Sequence, residues 1–109
     1  MTLAQIKDKL SLDCVSGSAD SRTWSGVYAG DLLSRAMSHV KTDNLWITIM
    51  SNPNVIAVAS LSEAAAVILA EGVELLPEAL EAARENGITV LSSDRTVYEL
   101  CVMIADAEK

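Results

Sequence analysis

The chain has 109 residues and a formal charge of −7, from 8 Lys and Arg against 15 Asp and Glu. Half of it is hydrophobic, yet it has two Trp, two Tyr and no Phe, so the core must be built from Val, Ile, Leu, Ala and Met. A surface this acidic, with no cluster of Lys or Arg, repels phosphate backbones and anionic membranes, which excludes nucleic acid and membrane surfaces as expected partners.

The length fits a single domain over residues 1–109. The aliphatic content exceeds what so small an interior needs, because small domains leave much of their surface exposed. Homodimerisation through an apolar patch is therefore expected, with Trp24 or Tyr28 as candidate contributors. The first ten residues mix Asp8 with Lys7 and Lys9, and no apolar run approaches the ~18 residues of a spanning segment. A soluble, cytoplasmic protein is expected. Cys14 and Cys101 stand far apart, outside any metal-like spacing, and read as small buried hydrophobes.

In chain order, "TLAQIKDKL" opens a helix, with Thr2 and Gln5 in capping-box spacing and Leu3, Ile6 and Leu10 on one face. "LDCVSG" reads as a short strand. "SADSRTWSG", rich in Ser and Gly, reads as a mobile loop. "VYAGDLLSRAMSHVK" predicts a brief extended segment and then a helix. Asp31 is its expected N-cap, and Leu32, Leu33, Ala36, Met37 and Val40 its apolar stripe. "DNLWITIM" is apolar on both faces, as a central parallel strand is. Val55, Ile56 and Val58 favour a strand by propensity, but Asn52–Pro53 is a strong helix start, so 53–62 is read as a short buried helix and "AAVILA" as the next strand. "LPEALEAARENG" predicts a helix beginning at Pro77 and stopped by Gly87. "ITVLSS" is a strand, and "TVYELCVMIADA" a helix with Thr96 and Glu99 as a second capping box. This alternation predicts an α/β single-domain sandwich, a mostly parallel sheet of about four strands flanked by helices.

No catalytic constellation emerges. His39, the only His, sits at a polar helix end, and no metal-ligand spacing or phosphate loop is present, so no catalytic residue, metal or cofactor is expected. The evenly spaced Glu71, Glu74, Glu78, Glu81 and Glu85 read as a solvated face. What remains is positional, because open parallel sheets bind ligands beyond the carboxyl ends of their strands. The candidates there are Gly30, Asp31, Ser51, Asn52, Asn54, Gly72, Ser92, Ser93 and Asp94. Beside helix N-termini these small polar groups could hold a phosphate or other small anion; the same residue types also serve as caps and turns.

The order of features over 27–100 resembles the DRTGG domain family: GD before a helix, "WITI" into a polar turn, "AVASL", "VILAEG", a helix begun by Pro, then "GITVLSS". The family is similar in fold to the N-terminal domain of HPr kinase/phosphorylase. In this resemblance Asn52–Pro53 stands where the family has Asp-Arg, and Ala70–Glu71–Gly72 where it has Thr-Gly-Gly, leaving Gly72 as the retained residue. Asp94–Arg95–Thr96 lies one strand later and is read as coincidence. The resemblance implies a divergent, stand-alone α/β domain without catalysis of its own, of a kind that accompanies CBS modules or metabolic enzymes.

Two functional expectations result. One is a non-catalytic regulatory or interaction module, homodimeric and associated with a partner protein in a metabolic or signalling system. The other is a sensor of a small ligand, a nucleotide or phosphorylated metabolite, bound at the strand ends, with Arg22 and Trp24 of the "SADSRTWSG" loop closing over it. An enzyme would require a partner chain to supply the missing groups.

Overall fold

The computed structural model describes residues 1–109. Helices and strands follow one another as α1 (Leu3–Leu10), β1 (Asp13–Ser16), β2 (Val27–Ala29), α2 (Leu33–His39), β3 (Leu45–Thr48), α3 (Pro53–Ser62), β4 (Ala66–Leu69), α4 (Pro77–Glu85), β5 (Val90–Ser92) and α5 (Val97–Ala107). No helix is long and apolar enough to cross a membrane.

Every residue of β3 and β4 is buried, so both faces of this pair have to be covered. Alternation along the strands divides the apolar groups. Leu45, Ile47, Ala66, Ile68 and Leu91 face α1 and α5, where they meet Leu3, Ile6, Leu10, Leu100 and Ile104. Trp46, Val67, Leu69 and Val90 face the other layer, against Ala36, Val40, Val55, Ile56, Val58, Ala59, Ala79 and Ala83 of α2–α4. The strand order is β1-β5-β4-β3-β2. Strands β2 to β5 are parallel, with Ile47 beside Ile68 and Ile68 beside Leu91. Because the sheet is built in one direction from β2 to β5, crossovers of a single hand put α2, α3 and α4 on the same face.

The local signals account for most helix ends. Thr2 and Gln5 cap each other, at 2.8 Å and 3.2 Å, as do Thr96 and Glu99, both at 3.1 Å. Asn52 caps α3 by accepting from the Asn54 N–H at 3.0 Å, with Pro53 as the first helical residue. The Asn–Pro pair thus outweighs the β-propensity of Val55, Ile56 and Val58. Gly87 follows α4 at φ +64°, as a helix stop should.

Several expectations are corrected. The sheet has five strands rather than about four, because the brief extended segment at Val27–Ala29 pairs with β3 as a strand of its own, while the expected strand β1 joins β5 in antiparallel sense with a bulge between Cys14 and Ser16. Asp31 is not the N-cap of α2; Leu32 takes that position without a side-chain bond, and the Asp31 carboxylate is engaged elsewhere. Leu32 and Met37 are exposed, at 62% and 60%, so the stripe of α2 narrows to Ala36 and Val40 with half-buried Leu33. Cys14 is exposed and Cys101 half-buried, since the edge position of β1 leaves Cys14 uncovered.

The "SADSRTWSG" stretch is pinned rather than loose. Its carbonyls at Asp20 and Arg22 accept from the first N–H groups of α1 at 2.9 Å, and Trp24 donates to the Met1 carbonyl at 3.2 Å. The Trp24 side chain is buried in the α1–α5 core. Arg22 pairs with Asp43 at 2.8 Å and donates to the Glu63 carbonyl at 3.1 Å. Asp43 and Glu63 precede β3 and β4, so this segment lies at the amino ends of the strands. It cannot close over their carboxyl ends.

Ile68 stands at the centre of this arrangement, fully buried. Ile68→Ala is expected to destabilise the fold by about 2–5 kcal/mol, through lost burial and the cavity left behind. Leu61→Ala, at an exposed site of α3, should change stability by less than about 0.5 kcal/mol. Urea unfolding of the two variants checks the contrast.

Candidate functional site

Parallel pairing gathers the carboxyl ends of β2, β3, β4 and β5 on one rim, and all nine candidate residues lie along it. They do not form one cavity. The rim divides into three groups.

At the β2–β3 end, one Asp31 carboxylate oxygen accepts from the buried Thr48 hydroxyl at 2.8 Å and from the Ile49 N–H at 3.0 Å. The Thr48 hydroxyl in turn accepts from the Met50 N–H at 3.2 Å. Asp31 therefore latches the two strand ends together. The Gly30 carbonyl accepts from the indole N–H of fully buried Trp46 at 3.1 Å. The Tyr28 ring lies over Gly30, where a Cβ would stand 3.0 Å from it.

Between β3 and α3, the Ser51 carbonyl accepts from the Leu76 N–H at 3.0 Å, and Asn52 is occupied as the cap of α3. Asn54, in the first turn of α3, is exposed.

The third group joins β4 to β5. The Gly72 N–H donates to the Ser93 carbonyl at 3.0 Å, and the Glu71 N–H to the Arg95 carbonyl at 2.8 Å. Gly72 has φ +71° and its α-carbon faces Asp94, whose carboxylate would lie 3.1 Å from an added Cβ. The connections after the two strands thus sit side by side, which brings Asp94–Arg95 of one against Glu71–Gly72 of the other. Here a polar cleft of about 420 Å³ is lined by Ser11, Asp13, Ser93, Asp94, Arg95 and Glu99. Ser92 points to the opposite face and lines a separate cavity of about 270 Å³ with Val15, Val73, Leu75 and Leu80.

Of the candidates, then, Gly72, Ser93 and Asp94 come together, while Gly30, Asp31, Ser51, Asn52 and Asn54 serve other strand ends. The sequence reading misses Ser11, Asp13 and Glu99 as cleft residues, and Arg95, read there as part of a coincidental match, lines the cleft too. Asp13 reaches the rim because antiparallel pairing sets the start of β1 beside the carboxyl end of β5. No local pattern in the sequence announces that pairing.

The chemistry of the cleft is acidic. Asp13, Asp94 and Glu99 outnumber Arg95, whose guanidinium is already donating to the Leu10 carbonyl at 2.8 Å. The Thr96 backbone N–H, then the Thr96 side chain, hold the Glu99 carboxyl below its ordinary value of 4.5, with Arg95 adding a smaller pull. A depressed carboxyl stabilises the fold above its unfolded pKa and loses that contribution as pH falls through the folded one. The cap of α5 is therefore intact at neutral pH. No group of three or more His, Cys, Asp or Glu side chains is gathered as metal ligands would be.

The doubly covered parallel sheet and its polar rim define an α/β module, and comparison places it. The family model of the DRTGG domain matches residues 5–107, so the chain belongs to the DRTGG domain family. A similar solved structure is that of the CBS and DRTGG domains of the regulatory region of Clostridium perfringens pyrophosphatase, complexed with its activator diadenosine tetraphosphate. It superposes with a TM-score of 0.78 at 17% identity, over 94% of this chain and 45% of that one, a likeness of fold. This chain spans less than half the length of that structure. Comparison with curated proteins finds no match.

Removing the Asp31 carboxylate would leave the O–H of buried Thr48 without its acceptor and the exposed Ile49 N–H to solvent. Asp31→Ala is expected to cost about 1–3 kcal/mol, the penalty of leaving a buried donor unpaired. Asp31→Asn keeps an acceptor oxygen and should cost less, and exposed Asn54→Ala should be near neutral. Denaturation midpoints of the three variants check the order.

Proposed function

We propose that the chain is a non-catalytic regulatory and protein-interaction module, homodimeric and cytoplasmic, that works alongside a metabolic enzyme or signalling system. The observation that carries this reading is the superposition of 94% of the chain on the CBS and DRTGG domains of an enzyme's regulatory region. The polar groups of the rim support it as well. Asp31, Asn52, Thr96 and Arg95 are each engaged in hydrogen bonds that fix strand and helix ends. In this reading the rim is a rigid frame rather than a set of reactive groups. Sedimentation at tens to hundreds of micromolar is expected to give twice the mass of the 11.6 kDa chain. A monomer throughout that range would remove the homodimer.

A second reading is favoured by one specific feature, the cleft beside Ser93 and Asp94. In the similar pyrophosphatase regulatory region a diadenosine polyphosphate acts as activator, so a nucleotide or phosphorylated metabolite is the ligand class to test. With three carboxylates around Arg95, the cleft suits the ribose and base of such a molecule better than its phosphates. Binding at about 100 times the dissociation constant would stabilise the protein by about 2.7 kcal/mol. A thermal-shift panel of AMP, ATP, diadenosine tetraphosphate and sugar phosphates should show a shift that Asp94→Ala abolishes. Flat melting curves across the panel would dismiss the sensor reading and leave the interaction module standing.

A further inference from the structure

The five-stranded sheet ends in two edges that differ in charge and in regularity. β1 carries Asp13, is kinked by the bulge between Cys14 and Ser16, and lies beside α4 and the cavity lined by Glu74. Residues 71–85, which include α4, hold five Glu against one Arg. A bulge and a local excess of like charge both discourage a second strand. β2 has neither device. Its three residues are uncharged and in unbroken register with β3. From Ser25 to Val40 the formal charges are Asp31 and Arg35, which offset each other. In a chain of charge −7, this neutral stretch is one that a second copy can approach without net repulsion.

The backbone of β2 is also oriented for it. The Gly26 carbonyl accepts from Leu45 and the Gly30 N–H donates to Ile47, so Gly26, Tyr28 and Gly30 direct their peptide groups toward β3. Val27 and Ala29 alternate with them and direct theirs outward, and no loop, cap or side-chain hydrogen bond engages them. Both side chains are exposed as well.

We infer that β2 is the seam of the homodimer, pairing in antiparallel sense with β2 of a second copy to make one continuous ten-stranded sheet. This deepens the homodimeric reading above and rests on it. A two-fold axis between the two Tyr28 residues sets Val27 opposite Ala29 of the second copy. The outward N–H and C=O of each then meet those of the other, in four hydrogen bonds. The axis runs perpendicular to the sheet, so like faces stay together and the two α2 helices flank the seam on one side. A three-residue strand alone covers too little for a stable contact, which requires on the order of 1,200–2,000 Å² in total. The neighbouring surface supplies more apolar area: Leu32 at the end of β2, Met37 on α2, and Ile49, which Asp31 holds beside β2, are all exposed.

The test is the mass in solution of the full chain and three variants. Val27→Lys sets a charge on the seam, and Ala29→Pro removes one outward donor from an edge strand, where Pro is tolerated. Cys14→Lys places the same charge on the opposite edge. The expected result is a dimer for wild type and Cys14→Lys, and a halved mass for Val27→Lys and Ala29→Pro with unchanged circular dichroism. A wild-type monomer would overturn the seam together with the homodimer. A dimer that survives both β2 variants, or is lost in Cys14→Lys as well, would overturn the seam alone. Should a β2 variant fail to fold, amide exchange in wild type decides. Exchange at Val27 and Ala29 that slows as protein concentration rises supports the pairing; exchange independent of concentration refutes it.

Discussion

The constraint on which the rest depends is the burial of β3 and β4 on both faces. Leu45, Ile47, Ala66 and Ile68 must be covered from one side, and Trp46, Val67 and Leu69 from the other. Parallel strands with this double-sided requirement cannot be joined by tight turns. They need crossovers, and helices supply them. Once α2, α3 and α4 occupy one face, α1 and α5 from the ends of the chain are left to close the other. The position of the rim follows from the same requirement, since four parallel strands deliver four carboxyl ends to one side of the sheet.

Against that frame, polar side chains at the strand ends act mainly in organisation. Asp31 joins the ends of β2 and β3 through Thr48 and Ile49. Asn52 starts α3, and Thr96 with Glu99 starts α5. The Thr48 hydroxyl is fully buried, where an unpaired donor is costly, while the caps at Asn52, Thr96 and Glu99 satisfy exposed N–H groups at helix starts. The cleft at Ser93 and Asp94 is where polar surface remains open to solvent, and its acidity narrows what can enter it.

How much of this was legible in the sequence depended on whether the signal was local. Both capping boxes, the Asn52–Pro53 helix start and the Gly87 stop are decided within four residues of chain, and all are found in place. The runs centred on Ile47, Ile68 and Val90 were legible because continuous burial leaves an unbroken apolar pattern, and their parallel, adjacent placement follows. The likeness to the DRTGG family rested on the order of these same elements. Where the deciding partner was distant, the sequence was mute. Asp31 looked like a cap because Leu33–His39 follows it, yet its acceptor is taken by Thr48, on another strand. Trp24 looked like a loop residue because its neighbours are Ser, Thr and Gly; its burial depends on α1 and α5. The contributions of Ser11 and Asp13 to the cleft depend on the antiparallel placement of β1, which no spacing along the chain encodes.

A centre covered on both faces thus fixes the fold and leaves two strand edges uncovered, of which β2 is the one inferred to pair with a second copy. The most direct measurement is an isotope-filtered NMR experiment on a mixed dimer of labelled and unlabelled chains, which detects only contacts between copies. The account predicts intermolecular contacts from Val27 to Ala29 and between the two Tyr28 rings or their α-protons. Intermolecular contacts confined to β1, α4 or the outer face of α5 would contradict it.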